Sequence, residues 1–398
     1  MLKEKNDFGL GLIFFLILGK IFKNKIMVEG IVKIFRSVSP AKFLIILGVF
    51  TFTIFCAQNV SAEEETSFSV SNKKFNLGKF VMEDVSDAFE WNIATFGKTK
   101  ISIPLPIILH SKTTGWNLFW SSKFKHGTAE YKNFKIAKDG DNDGKIIELN
   151  TSGEVTDLPL NLSITKTVAG IFVNVLLLFW IFLTVAKSAK RNKGKAPKGL
   201  QNIMEPVILF VRDEVAKSTI GEKKYEKYLP FLLTMFFFIL ISNLTGLIPI
   251  FPLGANVTGN IAVTLVLALF TFVLTTFSGN KHYWKDIYNP DVPWWLKFPI
   301  PLMPIVELTG VFTKPFVLMI RLFANMLAGH MIIAVFISLI FFFASSMGNI
   351  AGYGVSFLSV FFSVFMTLLD ILVSFIQAYV FTLLSALYFG MATEENHS

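Results

Sequence analysis

The stretch FTKPFVLMIRLFANMLAGHMIIAVFISLIFFF, residues 312–343, is apolar enough to cross a bilayer, yet it carries a permanently charged arginine, Arg321. A hydrocarbon core is crossed by about 20 helical residues. The apolar run starts earlier, near Pro304, interrupted only by Gly310 and Pro315, and a second one extends from Gly354 to about Met391. Each predicts about 40 residues of helix, roughly 60 Å long, too long to stand upright in a membrane. The two are expected to lie steeply tilted, packed as an antiparallel hairpin that turns at residues 345–352.

Working outward, Val168–Ala186 predicts a first span, Leu229–Ile248 a second and Asn260–Phe277 a third. Gln201–Lys217, containing EPVILFVRDEVAK, alternates apolar and charged faces and predicts a helix lying at the interface. With 53% hydrophobic residues and 44 phenylalanines among 398, the chain is too apolar for an ordinary soluble domain. Its net charge of +9 comes from basic residues beside the spans, the distribution of topology signals rather than of a nucleic-acid surface. Eleven Lys and Arg fall in residues 187–228 and three in 278–298, against none in 249–259 or 344–353. The first two connections therefore belong in the cytoplasm, and the C-terminus with them. Trp284, Trp294 and Trp295 add an aromatic girdle on that side. A single cysteine, Cys56, excludes an internal disulfide and a multi-cysteine metal site.

The N-terminus has apolar patches at Phe8–Ile21 and Phe43–Phe55. The second has a basic approach, a short apolar core and Val60-Ser61-Ala62 before an acidic run, so residues 1–62 are expected to act as a signal segment cleaved after Ala62, with translation starting at Met1 or Met27. Residues 63–163 are polar, with short β-favouring runs and no span, and are expected to form an extracytoplasmic domain; residues 164–398 form the membrane domain. Within the polar region Asp139, Asp141 and Asp143 alternate as in a calcium loop, but position twelve is Asn150 rather than glutamate. A hairpin turn between the flanking β-favouring runs is the favoured reading, with a calcium site the lesser one.

Polar residues of the two long segments recur in order. Glu307, Lys314 and Arg321 repeat every seven residues, and Asn325 and Gly329 are expected to continue that face. Thr367, Asp370, Ser374 and Gln377 make one polar stripe on the last helix. His330 lies about half a turn away from Arg321. Ionisable groups at membrane depth mark ion routes, since isolated charge in hydrocarbon is expensive. Snorkelling or a local ion pair is the bland alternative for Glu307 and Lys314, and helix packing for Asp370.

On these residues the chain resembles subunit a of the F-type ATP synthases. The motifs are SNLTGLIPIF at 242–251, TGNIAVT at 258–264, KPFVLMIRLFANMLAGH at 314–330 and IQAYVFTLLSALYFGMATEE at 376–395. The resemblance implies an all-α polytopic protein of the bacterial inner membrane with about five membrane helices, plus a small β-containing extracytoplasmic domain outside the family's common core. It implies a proton-translocating stator without covalent catalysis or cofactors. The implied partners are the ring of c subunits, subunit b of the peripheral stalk, the F1 head indirectly, and lipid. It also implies that Arg321 is the essential arginine, Asn325 its companion, Gln377 the glutamine facing it and Glu307 an acidic group near the cytoplasmic opening. Bacterial members often pair a glutamate after the AG dipeptide with a histidine seven residues before that glutamine; here His330 and Asp370 hold those places with the chemistries exchanged. The rival reading is a secondary proton-coupled transporter, which would be expected to show internal repeats. Membrane enzymes are disfavoured by the lack of HExxH or GxSxG.

Overall fold

The computed structural model describes residues 87–394 apart from 97–98, 128, 138–141, 143, 151–154, 193–194, 249–251, 289–301 and 348. The expected signal segment, the Asp139, Asp141 and Asp143 candidates, and Trp294 and Trp295 lie outside the described residues.

Among the described residues short alternating runs give eight strands ahead of the first long helix. They are β1 Glu90–Phe96, β2 Thr99–Pro104, β3 Pro106–Ser111, β4 Gly115–Trp120, β5 Phe134–Ile136, β6 Ile146–Leu149, β7 Val155–Asp157 and β8 Leu160–Asn161. They pair antiparallel as β1-β2, β4-β3-β8 and β5-β6-β7. Period-two alternation turns Ile107, Leu109 and Phe119 inward onto Phe124, Phe134 and Ile146, a small core of their own. The β5 and β6 runs flanking the acidic motif pair as a hairpin, Ile136 opposite Ile146, with Gly144 in the left-handed region at φ +76°.

The membrane helices are α1 Lys166–Arg191, α3 Tyr225–Gly246, α4 Ile261–Ser278, α6 Leu302–Met347 and α7 Asn349–Thr393. Among the described residues five helices are long and apolar enough to span. Side chains fix two of the starts: Thr165 accepts from the Val168 amide, and Asn260 from that of Ala262. Between α1 and α3, the expected amphipathic helix, α2, is a helical run in three pieces: Leu200–Phe210, a π-helical stretch Val211–Lys217, and Ser218–Ile220. A short α5, Lys281–Tyr288, precedes α6.

At 46 and 45 residues, α6 and α7 exceed the expected length. Helical structure runs on to Met347 and resumes at Asn349, so the expected eight-residue turn is a much sharper reversal. Small residues permit this: a β-carbon added at Gly352 would stand 2.7 Å from the Ala344 β-carbon. Phe336 stacks on Phe362, and Gly329 abuts Asp370, so the antiparallel register holds down the hairpin. About 69 Å of helix against a 30 Å hydrocarbon core requires the tilt. The main apolar cluster joins α1, α2, α3, α4, α6 and α7, and Trp91 of β1 belongs to it.

Candidate functional site

Each four-residue step along a helix advances about 40°, and this drift decides what α6 presents to its surroundings. Arg321 and Asn325 are exposed on the open flank of the hairpin, while Gly329 is buried in the seam with α7. The expectation that all three share one face is thereby corrected; eight residues turn Gly329 about 80° from Arg321. Ion pairs between described residues include His126–Glu90, Lys135–Glu130, Arg212–Asp213 and Lys217–Glu222, and these four lie outside the five membrane helices. None involves Arg321, Lys314 or Glu307.

At one end of α6, Glu307 is half-buried and lies near Tyr283 of α5. Burial first, and the Glu307 charge second, push the Tyr283 phenol above its ordinary value. Lys314 places its ammonium 5.7 Å from the ring centre of Tyr388, and Thr275, Tyr283, Lys314 and Tyr388 line a small crevice between α4, α5, α6 and α7.

The seam itself is polar. Asp370, Ser374 and Gln377 are all buried, and the Ser374 hydroxyl donates to the Asp370 carbonyl at 2.7 Å. Thr367 is half-buried and donates to the Ser363 carbonyl at 2.8 Å. Glycine at 329 makes the close approach possible, since a β-carbon there would stand 2.7 Å from Asp370 Oδ1. The α7 stripe therefore faces protein, and the structure brings Asp370 beside the residue preceding His330. It leaves Arg321 and Asn325 on the exposed flank.

His330 looks the other way. Its Nε2 lies 3.5 Å from where a Gly246 β-carbon would be, at the end of α3, where Gly246 also approaches the Ala255 carbonyl. Close by in sequence is a polar set to which the sequence pattern assigned no role. Asn174 of α1 donates to Ser242 at 3.1 Å and accepts from Thr245 at 2.8 Å. Thr258 donates to Asn243 at 2.5 Å. Asn243 Nδ2, Asn256 Nδ2 and Asp370 Oδ2 are buried without a hydrogen-bond partner among the described residues. Their signal was available as polar residues inside or at the ends of apolar spans, SNLT above all.

Among the described residues no group of three or more His, Cys, Asp or Glu could hold a metal. The arrangement sets an exposed cation on the open flank, a buried carboxyl in the seam beside Gly329, and polar groups at two levels along α6, near Glu307 and near His330.

Residues 168–390 match the family model described as ATP synthase A chain, and residues 80–165 match one described as a domain of unknown function. ATP synthase subunit a 2 of Chlorobaculum tepidum is 45% identical over 244 residues, covering 60% of this chain and 65% of that one. ATP synthase subunit a of Chloroherpeton thalassium is 43% identical over 245 residues, covering 60% and 69%. The Myxococcus xanthus subunit a is 44% identical over 246 residues, covering 60% and 75%. The similarity thus spans about two thirds of these relatives' length and falls on the helical part of the chain that holds Arg321, His330, Asp370 and Gln377, which places the chain in the ATP synthase A chain family.

Proposed function

We propose that this chain is the proton-conducting stator of a rotary ATP synthase, a non-catalytic channel subunit working against a ring of carboxylate-bearing c subunits. The observation that carries the reading is the exposure of Arg321 and Asn325 on the open flank of a hairpin whose Asp370, Ser374 and Gln377 lie buried behind.

A ring carboxylate must be neutral while it faces lipid, because burial disfavours its charged form. Arg321 stays protonated under all cellular conditions, so a carboxylate arriving beside it ionises. That step forces proton exchange at the stator wall. Asn325 and Gln377 help to orient the ionised group there. On the outer side His330 and Asp370 load protons, approached past Asn243, Asn256 and Thr258. A buried carboxyl oxygen without a partner is costly unless water or a proton-sharing neighbour satisfies it, the condition that a hydrated entry route meets. On the inner side protons leave past Glu307, with Tyr283 and Lys314 at the mouth.

The two mouths are assigned from what lies beside them. Glu307 neighbours α5, in a connection bearing Lys281 and Lys285, whereas His330 neighbours the end of α3, whose connection lacks Lys and Arg. The fixed charge of Arg321 between them opposes direct proton leakage. One proton crossing 100 mV releases about 2.3 kcal/mol, so several must pass for each ATP made elsewhere in the complex. By the same charge rule the C-terminus is cytoplasmic and residues 63–163, following a cleaved signal segment, form a domain on the outer side.

The test is affinity purification in mild detergent. A small two-helix protein with a membrane-buried carboxylate, together with the peripheral-stalk subunit b and F1 subunits, is expected to co-purify. Recovery of the chain as a self-sufficient monomer that moves protons with a solute would favour a transporter instead.

A further inference from the structure

Strand β4 turns Asn117 and Phe119 inward and leaves Trp116, Leu118 and Trp120 exposed at 65%, 70% and 57%. Across the sheet, His110 packs edge-on against Trp116 with ring centres 4.8 Å apart, Ile108 stands opposite Leu118, and Leu160 of β8, half-exposed, stands opposite His110. The outer face of this three-stranded sheet is an aromatic and aliphatic surface with no carboxylate or lysine among these six positions. Contiguous apolar surface of this kind marks a docking face.

We propose that this face rests on the lipid headgroup layer beside α1, with Trp120 as its deepest anchor. The backbone dictates its height. Leu162 donates to the Ile108 carbonyl at 2.9 Å and Ile164 to the Pro106 carbonyl at 3.1 Å, so pairing with β3 continues to the residue before the Thr165 cap of α1. On the other side Lys166 donates to the Ala88 carbonyl at 2.8 Å and Thr167 to Asp87 Oδ1 at 3.0 Å. Trp91, 4% exposed, sits in the apolar cluster of the membrane helices. These bonds prevent the sheet from swinging away from the bilayer.

Pro106 pairs with Trp120, so Trp120 is level with Ile164, two residues before α1 begins. At about 3.4 Å per residue, Leu118 lies roughly 7 Å and Trp116 roughly 14 Å farther along the strand. The headgroup region is about 5–8 Å thick on each side of the hydrocarbon, so Trp120 falls within it when the strands run near the bilayer normal. Indole favours that layer, with an apolar body and one N–H donor to satisfy. Lipid-facing surface continues along the exposed α1 residues Phe172, Leu176, Trp180 and Leu183. The inference needs only that α1 spans the membrane, and it is independent of the proton path.

The test uses the intact complex in phosphatidylcholine bilayers whose acyl chains are brominated near the headgroup. Fluorescence of the unmodified protein is compared with that of Trp120→Phe and Trp116→Phe, which keep an aromatic side chain and are expected to pump protons normally. Loss of bromolipid quenching is expected in Trp120→Phe, exceeding the loss in Trp116→Phe. Unchanged bromolipid quenching in Trp120→Phe would overturn the proposal. The same holds if the Trp120 contribution responds only to aqueous iodide, which means free water, or to neither quencher, which means a protein partner covers it.

Discussion

Helix α3 and the terminal hairpin are both written in strongly apolar residues, yet they meet opposite surroundings. In α3, 83% of the most apolar stretch is buried, against 22% in α6 and 17% in α7. Phe236, Phe237 and Phe238 are at most 1% exposed, while Phe357 and Phe361 on α7 are 81% and 60% exposed. An apolar residue records that its surroundings are not water, whether they are protein or lipid. Polar residues separate the two cases: α3 satisfies Ser242 and Thr245 against Asn174 of α1, whereas α6 exposes Arg321 and Asn325. A helix that exposes both phenylalanine and arginine at membrane depth needs protein or water beside its charge as well as lipid beside its rings.

The largest expected effect falls on the open wall. Arg321→Ala removes a charge that pairs with no described carboxylate, so the folded chain should keep its stability within about 0.5 kcal/mol. ATP-driven acidification of vesicles should fall to background, because nothing then compels ring carboxylates to ionise. Pumping that survives undiminished would remove Arg321 from the mechanism. Loss of the folded subunit itself would make the arginine structural and erase the contrast with α3.

Second comes the covered helix. Phe237 packs edge-on against Phe182 of α1, ring centres 5.1 Å apart, and against Phe236 at 5.2 Å. Lipid is as apolar as the core, so the transfer part of a Phe→Ala loss is largely absent in a bilayer. The cavity part remains, on the order of 2 kcal/mol at about 24 cal/mol per Å3. Phe237→Ala is therefore expected to lower the denaturant midpoint of the purified subunit while leaving proton conduction per folded complex intact. An unchanged midpoint would mean that α3 is not the packed centre.

Much of this architecture was legible in the sequence because span length, charge asymmetry and the punctuation by Pro and Gly are local signals. The three shorter spans lie within a few residues of expectation, and the two long segments are continuous helices, differing chiefly in running through most of residues 345–352. What the pattern missed depended on rotation and on partners. Four-residue steps look like one face, but the accumulated drift carries Gly329 away from Arg321 into the seam. The π-helical stretch Val211–Lys217 has no periodic signature. Gln201 and Glu205 lie on the amphipathic helix as if for solvent, but they are buried: Gln201 donates to Glu205 at 2.9 Å and accepts from Ser188 and Asn192. Tertiary pairing of this kind is invisible to a helical wheel. Asn174 is hidden for the same reason, since a lone asparagine in a span declares its partner only when α3 is alongside.

The smallest expected effect is also the sharpest control on the contrast between the helices. Phe357, 81% exposed on α7, has little protein to lose, so Phe357→Ala should change the stability of the isolated subunit by about 0.5 kcal/mol or less and barely move its midpoint. A loss as large as that of Phe237→Ala would mean that α7 is covered in the isolated chain, and the division into packed and open helices would fail. The same variant examined in the assembled complex separates lipid from a partner at this position. If ring protein is retained as in the unmodified complex, Phe357 faces lipid. If ring protein is shed while the subunit's own midpoint stays fixed, the exposed phenylalanines of α7 belong to the contact across which the ring turns, and the bare flank around Arg321 extends farther along the hairpin than its polar residues alone suggest.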